Sequence, residues 1–384
     1  MRSKSRMSSD PDLAAKLPIN RRTVGLESWL QQLLEGDFQA RWEAAKRIEA
    51  FGEPAIARLI TLLQDEDLDW EIRWFIARTL GNVGDEACLQ ALMQLLQQTQ
   101  EPELIAIAAE ALSQFKAQGV QALKHLLGMP PYRMTAIQAL ARIRHPSVIE
   151  PLLIAAQDAD AAVRGVAVAA LGYFRSAIVD TQLLKAVQDS SATVRQEAMA
   201  HLGLRAYLLN EIDLVETLGP GLWDLHPQVN KAAAIALGRL GTDAAIAKLA
   251  KVLTLPNTPE HLQIQIVRSL SWIEKESALS TLLAAWQNVP VTIQLEIAAV
   301  LSRLETLPRQ NRAGKALCQW LDALLLTDTP EHHQTKQGIA IALGNLHYVS
   351  AQPLLQKLAQ DSDAQTRLYA EAALRQLTMP TDPR

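Results

Sequence analysis

The chain has 384 residues, and its 37 basic and 41 acidic side chains leave a formal charge of −4. This balance argues against a dedicated nucleic-acid binder, which needs clustered surplus lysine and arginine to neutralise phosphates. Hydrophobic residues make up 49% of the chain, which is too many for a disordered protein. The two cysteines, Cys88 and Cys318, cannot build a disulfide framework. No apolar run reaches the roughly 18 residues that a membrane span needs, so we expect a cytoplasmic protein.

The chain order predicts two tails around one repeat array. Residues 1–22 carry six basic side chains against two acidic ones, and we expect a disordered basic tail there. Residues 23–304 are expected to form a HEAT-like repeat array, in the sense defined below. Residues 305–314 are polar and predict an insert loop, after which residues 315–378 continue the same array. Residues 379–384 contain two prolines and predict a frayed tail.

One pattern recurs through the array, and internal repeats decide the fold before any motif does. It is clear in Asp160-Ala-Ala-Val-Arg-Gly-Val-Ala-Val-Ala-Ala-Leu-Gly172, whose last apolar residue, Leu171, serves as the anchor for aligning the units. Successive anchors are 28 to 35 residues apart, apart from one spacing of 42. The eleven anchors are Ile48, Leu80, Leu112, Leu140, Leu171, Leu202, Leu237, Leu270, Leu301, Leu343 and Leu374.

The spacing within a unit is helical. Apolar or small residues stand three, four and eight positions before the anchor, as Val168, Ala167 and Val163 do before Leu171. These positions share one face of a helix with 3.6 residues per turn. An N-capping residue stands eleven positions before several anchors, and a second apolar helix follows each anchor. A single hairpin of this kind cannot bury its apolar face, whereas a stack can. The sequence therefore predicts an all-α fold, an α-solenoid (superhelix) of about eleven helical hairpins.

The units resemble HEAT repeats, and in particular the short HEAT-like repeats of the cyanobacterial phycobilisome (bilin) lyase subunit family. In the fifth unit the resemblance rests on Asp158, Val163-Arg164, Ala167 and Leu171-Gly172. It covers roughly residues 27–378. The resemblance implies a scaffold or chaperone with an extended binding surface. For the lyase subunits it implies the attachment of linear tetrapyrroles to cysteines of antenna proteins.

Arginines recur seven residues before the anchors, and aspartates recur six residues before those arginines. We expect each aspartate to pair with the arginine of its own unit, because both recur with the repeat and such pairs form charge-assisted hydrogen bonds. An anion-binding row of arginines is the alternative. The predicted ladder consists of Asp67 with Arg73, Asp158 with Arg164, Asp189 with Arg195, and Asp361 with Arg367.

Large apolar side chains recur six and five residues before the anchors, and four of the eight tryptophans fall within the first 74 positions. If the anchor helices line the concave side of the solenoid, these side chains form an apolar groove suited to a partner. Packing between repeats explains them equally well, and Trp29 and Trp42 could simply cap the array. Trp74 and Phe75 are the strongest interface candidates. The predicted partner-binding residues are Trp42, Trp74, Phe75, Ile107, Met134, Val166, Ile264, Leu295, Leu368 and Tyr369.

No motif predicts a catalytic residue, a metal site or a bound cofactor. No histidine pair has the helical spacing of metal ligands, and none of the eight histidines precedes a glutamate as in HEAT-like iron hydroxylases. The phosphate-binding pattern G-x-x-x-x-G-K-[ST] and the nucleophile elbow G-x-S-x-G do not occur. Catalysis by this chain alone is therefore not expected.

These observations predict a scaffold, adaptor or assembly chaperone that binds one or more proteins on an apolar concave surface. The resemblance implies an alternative, a bilin (phycobiliprotein) lyase or lyase-like chromophore chaperone. Its cofactor would be a linear tetrapyrrole, and its partners would be phycobiliproteins or another photosynthetic assembly.

Overall fold

The computed structural model describes residues 19–326 and 329–378, with side chains from residue 25 onward. Most of the predicted tail 1–22 and all of the predicted tail 379–384 lie outside these residues. Residues 19–22, which the prediction included in the first tail, begin a helix. The described residues form 22 α-helices joined by short 3₁₀ turns and loops, without a strand. This confirms the all-α prediction.

The chain divides into two compact units, residues 1–182 and 183–384. Ten helices lie within the first unit, and an eleventh begins there and ends in the second. They are α1 (Ile19–Glu35), α2 (Phe38–Ile48), α3 (Glu53–Leu63), α4 (Trp70–Val83), α5 (Glu86–Gln98), α6 (Pro102–Gln114), α7 (Ala117–Leu127), α8 (Arg133–Arg142), α9 (Ile149–Ala155), α10 (Ala161–Leu171) and α11 (Ala177–Ala186).

The described part of the second unit contains eleven further helices. They are α12 (Ala192–Leu202), α13 (Leu214–Leu218), α14 (Pro227–Leu240), α15 (Asp243–Leu253), α16 (Glu260–Ser271), α17 (Glu276–Ala285), α18 (Val291–Leu301), α19 (Leu307–Leu325), α20 (His333–Asn345), α21 (Gln352–Leu358) and α22 (Ala364–Thr378).

Every anchor lies near the end of an even-numbered helix, and we call these the anchor helices. Ten of the eleven anchors have none of their surface exposed, and Leu374 on α22 is half-buried. Within the first unit α4 packs on α6 and α6 on α8, while in the second unit α12 packs on α14 and α14 on α16. The odd-numbered helices between them pack alongside as a second layer. The predicted α-solenoid of stacked helical hairpins is therefore confirmed.

Local sequence signals explain where several anchor helices begin. The carboxylates of Asp37, Asp69 and Asp160 accept hydrogen bonds from backbone N–H groups in the first turns of α2, α4 and α10. Such a cap is worth about 1 kcal/mol. Ser191 precedes α12 but makes no side-chain cap bond. Pro102 opens α6, where the missing N–H costs nothing.

The glycine that follows several anchors lets consecutive anchor helices approach closely. A Cβ atom added to Gly81 would lie 2.6 Å from the Cβ of Ala111 on α6. One added to Gly203 would lie 2.7 Å from the Cβ of Ala236 on α14. Any side chain at these positions would push the two helices apart, so helix packing explains the recurring Leu-Gly pair.

The predicted insert loop at 305–314 is wrong, because α19 runs from Leu307 to Leu325. Pro308 fits the first turn, and the polar residues that suggested a loop include the exposed Asn311 and Arg312 on this helix. The apolar face of the helix buries Ala313 and Leu317. A longer second-layer helix thus accounts for the unit of 42 residues. Even this helix lacks the apolar length for a membrane crossing, as does every other helix that the structure describes.

Candidate protein-docking surface

Two neighbouring anchor helices of the first unit, α2 and α4, carry the same pattern of side chains along one face. In each helix an aromatic residue, a tryptophan and a cation stand ten, six and two residues before the anchor. Residues four apart lie one above another on a helix, so each helix displays two aromatic side chains and then a positive charge. We call the six side chains the aromatic–cationic patch, and they are Phe38, Trp42 and Lys46 on α2 with Trp70, Trp74 and Arg78 on α4.

Phe75 supports the rings of this patch from below. Its ring centroid lies 5.3 Å from that of Phe38, 6.4 Å from that of Trp42 and 5.2 Å from that of Trp74. All three contacts are edge-to-face, an arrangement that aromatic pairs prefer and that contributes about 0.5–1.5 kcal/mol per pair. One buried residue therefore contacts three of the four rings of α2 and α4 in this patch.

Arg78 stacks on the tryptophans of both helices. Its guanidinium carbon lies 4.0 Å from the ring centroid of Trp42 and 5.6 Å from that of Trp74. The Lys46 ammonium lies 5.3 Å from the Trp42 ring. No residue among those described accepts a hydrogen bond from the Arg78 guanidinium or forms an ion pair with it. These contacts hold the guanidinium over the Trp42 ring while leaving its N–H groups available.

Much of the patch is open to solvent. Phe38 is 56% exposed and Trp70 is 48% exposed, and the two inner tryptophans are half-buried. The next anchor helix, α6, has Pro102, Ala106 and Glu110 at the equivalent positions, so the patch ends at α4. An exposed cluster rich in tryptophan and arginine has the composition of a protein-binding hot spot.

Two of the predicted partner-binding residues are core residues instead. Phe75 has none of its surface exposed and Ile107 has 3% exposed, so a partner cannot reach them. The reason lies in the stack, because the position five residues before the anchor can face a neighbouring anchor helix. Phe75 contacts rings of α2 in this way. For these two residues, packing between repeats was the correct alternative.

The other predicted residues reach the surface in separate places. Met134 and Val166 line a cleft of about 380 Å³ in the first unit. Leu295 lines a cleft of about 1210 Å³ between α18 and α20 in the second unit. Ile264 and Tyr369 are half-buried, and Leu368 is 63% exposed. Their contact with a partner stays a prediction, and only Trp42 and Trp74 join the aromatic–cationic patch.

Three of the four predicted Asp–Arg pairs do contact each other, but the arginine binds the backbone carbonyl of the aspartate. Arg164, Arg195 and Arg367 each donate to the backbone carbonyl of the aspartate six residues earlier, at N···O distances of 2.9, 2.7 and 2.8 Å. The predicted pairing of Asp67 with Arg73 is wrong, because Arg73 donates a hydrogen bond to the backbone carbonyl of Leu63 and Asp67 is exposed. The arginines thus hold the loop backbone of their own unit.

Three loop carboxylates bind the basic residue of the preceding unit. Arg133 contacts Asp158 at 3.3 Å, and the buried Lys336 contacts Asp361 at 2.8 Å. Arg195 binds Asp224 through two hydrogen bonds of 2.7 and 2.9 Å. The ladder therefore connects consecutive loops across 25 to 29 residues, whereas the prediction paired residues six apart.

Ion pairing shifts the pKa values of Asp224 and Arg195, and burial shifts those of the two cysteine thiols. The hydrogen bonds from Arg195 hold the pKa of Asp224 below its ordinary value, and the same pair raises the pKa of Arg195. Burial raises the pKa of Cys88 to about 12 and that of Cys318 to about 11, so both thiols are protonated at neutral pH. The described residues contain no group of histidine, cysteine or acidic side chains that could hold a metal ion.

The fold and this surface define an all-α repeat protein with an exposed aromatic face. A family model described as HEAT repeats matches residues 26–113, 120–203, 181–261 and 215–302. The chain therefore belongs to the HEAT-repeat family. No curated protein matches the sequence.

Three known structures illustrate which chains share this fold. One is a chain of the AP-3 complex model in an intermediate open conformation, with 14% identity, 95% of this chain and 72% of that chain covered, and a TM-score of 0.54. Another is Kap121p bound to Pho4p, with 15% identity, coverage of 92% and 45%, and a TM-score of 0.53. A third is a structure of Kap95p bound to RanGDP, with 12% identity, 92% of this chain and 61% of that chain covered, and a TM-score of 0.52. These likenesses show the fold alone, and the chain spans about half of the Kap121p chain.

Proposed function

We propose that this protein is a scaffold or adaptor that docks a protein partner on the aromatic–cationic patch. The observation that supports this most is the exposure of Phe38 and Trp70 beside Trp42 and Trp74, over a buried Phe75. Large rings that are held in place lose little conformational freedom when a partner covers them.

The free energy that a partner would gain by covering the exposed rings fits a docking site. An aromatic side chain buries about 150–250 Å² when it is fully covered. Phe38 and Trp70 are about half-exposed, so a partner would cover roughly 100 Å² of each. At about 25 cal/mol per Å² this amounts to roughly 2–3 kcal/mol per ring, in the range of a hot-spot residue.

The charge of the surroundings favours a protein partner. The net charge is −4, and the acidic run Asp65-Glu66-Asp67 precedes Trp70 by a few residues. Phosphate backbones are repelled by such a surface. The structures of Kap121p and Kap95p concern complexes with the proteins Pho4p and RanGDP, and the shared fold makes protein binding a reasonable expectation here.

Affinity purification from the native organism tests the proposal. The double variant Phe38→Ser/Trp70→Ser removes the exposed rings of the patch and leaves the buried Phe75 in place. The matched control is Trp223→Ser/Trp272→Ser, because these two side chains are 59% and 55% exposed in the second unit. We expect the patch variant to lose its partner while the control retains it, with equal circular dichroism spectra. A patch variant that recovers every partner at wild-type yield contradicts the proposal.

A second candidate is a bilin lyase or lyase-like chromophore chaperone. The patch supports it in one respect, since flat rings beside two cations suit a conjugated tetrapyrrole with carboxylate side chains. Adding a linear tetrapyrrole to the protein would then change its absorption in the red, and the Phe38→Ser/Trp70→Ser variant would reduce that change. Covalent transfer to a cysteine of a phycobiliprotein would separate a lyase from a carrier. An unchanged spectrum removes this candidate.

A further inference from the structure

We infer that the aromatic–cationic patch recognises an acidic–apolar segment of the partner, in which a large apolar side chain covers the rings and a nearby carboxylate binds Arg78 and Lys46. This inference rests on the proposed function, because it specifies the chemistry of the partner at the same surface. The feature that carries it is the Arg78 guanidinium at one end of the patch, which has no hydrogen-bond or ion-pair partner among the described residues.

The Arg78 guanidinium is prepared for a carboxylate. The guanidinium carbon lies 4.0 Å from the Trp42 ring centroid, a cation–π contact that uses none of the N–H groups as hydrogen-bond donors. Two parallel N–H donors of a guanidinium match the two oxygens of a carboxylate. The Trp42 ring therefore holds the donor group in place before a partner arrives.

Two carboxylates near the patch are engaged elsewhere. Glu71 forms an ion pair with Arg41, and Glu49 accepts a hydrogen bond of 2.8 Å from Asn82. Glu43 forms an ion pair of 3.7 Å with Lys46 on the same helix, with both side chains about half-exposed. The positive charge of Arg78 is thus left for a group from outside the described residues.

In the second unit, the arginine at the same repeat position as Arg78 is paired with a carboxylate. Arg268 stands two residues before its anchor, as Arg78 does, and Glu296 binds it at 2.7 and 3.4 Å. Glu296 stands five residues before the anchor of the following anchor helix. The equivalent residue after Arg78 is Ile107, which is buried and has no carboxylate to offer. The repeat therefore offers Arg78 no carboxylate at this position of α6, and we expect the partner to supply one.

The patch also sets the spacing and direction of the segment. Trp70 and Arg78 are eight residues apart, which is about 12 Å along a helix. The acidic side chains Asp65, Glu66, Asp67 and Asp69 lie at the Trp70 end and repel a second carboxylate there. We expect the carboxylate of the partner to lie one or two helical turns from its apolar residue, on the side of Arg78.

Defined peptides and the full-length protein provide the test. The probe is a fluorescently labelled, alanine-rich helical peptide with two leucines one turn apart and two glutamates after them, compared with versions carrying glutamine or lysine there. By fluorescence anisotropy we expect wild-type protein to bind the glutamate peptide at least about tenfold more tightly than either other peptide. Arg78→Gln should reduce that preference to about twofold or less, and Arg78→Lys should retain part of it.

Arg144→Gln is the matched control, since Arg144 stacks on Tyr173 at 4.0 Å in the same unit without the aromatic pattern of α2 and α4. It should leave the peptide preference unchanged. Equal binding of the glutamate and glutamine peptides, a preference that survives Arg78→Gln, or no binding up to about 1 mM would overturn the inference. If Phe38→Ser/Trp70→Ser still abolishes partner recovery in that case, the proposed function stands and only the partner chemistry is wrong.

Discussion

Arg78 in the first unit and Arg268 in the second unit occupy the same repeat position, two residues before an anchor, yet they meet different neighbours. Arg78 stacks on Trp42 of the preceding anchor helix, whereas Arg268 binds Glu296 of the following one. The anchors beside them, Leu80 and Leu270, are equally buried. The comparison teaches that the apolar repeat determines the fold. The residues between the anchors determine whether a surface arginine pairs with a neighbouring repeat or is available to a partner.

The largest expected effect concerns the support of the patch. Phe75→Ala removes a ring with none of its surface exposed, and such a change costs about 3–5 kcal/mol in the free energy of unfolding. Urea denaturation followed by circular dichroism measures this loss. The control is Phe38→Ala, which removes a ring that is 56% exposed and should cost far less. Equal losses in the two variants would mean that Phe75 does not support the patch.

The fold was predictable because burial follows the repeat. Ten anchors found by spacing alone are fully buried, and the aspartate caps and the glycine after the anchor follow from helix ends and close packing. The loop at 305–314 was mispredicted for a physical reason. The exposed face of α19 is polar, and polarity alone does not distinguish a loop from the outer face of a longer helix.

The docking surface was predictable only in part. Trp42 and Trp74 stand out because they share one repeat position, but Phe75 beside them faces inward onto α2. Lys46 and Arg78 were missed, although the spacing of four residues between Phe38, Trp42 and Lys46 is a sequence signal. The ladder bonds could not be predicted, since an arginine can reach both its own loop and the next one, and only coordinates show which oxygen it meets.

The next largest effect compares two ladder contacts. Asp224→Asn weakens the paired hydrogen bonds from Arg195 in the second unit and should cost about 1–3 kcal/mol, because bonds between charged groups are the stronger ones. Asp158→Asn in the first unit should cost less, since Arg133 contacts Asp158 at 3.3 Å and is more exposed. Urea denaturation at pH 7 tests this order, and a larger loss for Asp158→Asn would reverse it.

The pH dependence of the same contact has a definite sign. The hydrogen bonds from Arg195 hold the pKa of Asp224 below its ordinary value of 3.8 in the folded protein. The carboxylate therefore stabilises the fold fully above the unfolded pKa, and this stabilisation is lost as the pH falls through the folded pKa. Between pH 7 and pH 3 the Asp224→Asn variant should lose less stability than the wild type. Parallel curves for the two proteins would contradict this prediction.

A smaller loss of stability is expected at Arg268, which is paired with Glu296 of the next anchor helix. Glu296→Gln breaks an ion pair whose arginine side chain is 53% exposed, so the loss should stay below about 1 kcal/mol. The loss should also shrink at 0.5 M salt, because exposed charges are screened over a few ångströms at that ionic strength. Denaturation at low and high salt measures both effects. A loss of several kcal/mol would show that this pair belongs to the core.

The smallest effect concerns the Arg78–Trp42 stack itself. A double-mutant cycle with Arg78→Ala and Trp42→Ala should give a coupling free energy of about 0.5–1 kcal/mol, as expected for a partly exposed cation on a ring. Part of this coupling comes from dispersion between two flat groups, so it should survive salt better than the Arg268–Glu296 pair does. This small value is what the docking proposal needs, because an arginine that contributes little to stability keeps its hydrogen bonds for a partner. A coupling near zero would mean that the ring does not orient Arg78, and the sharp preference for a carboxylate would lose its structural cause.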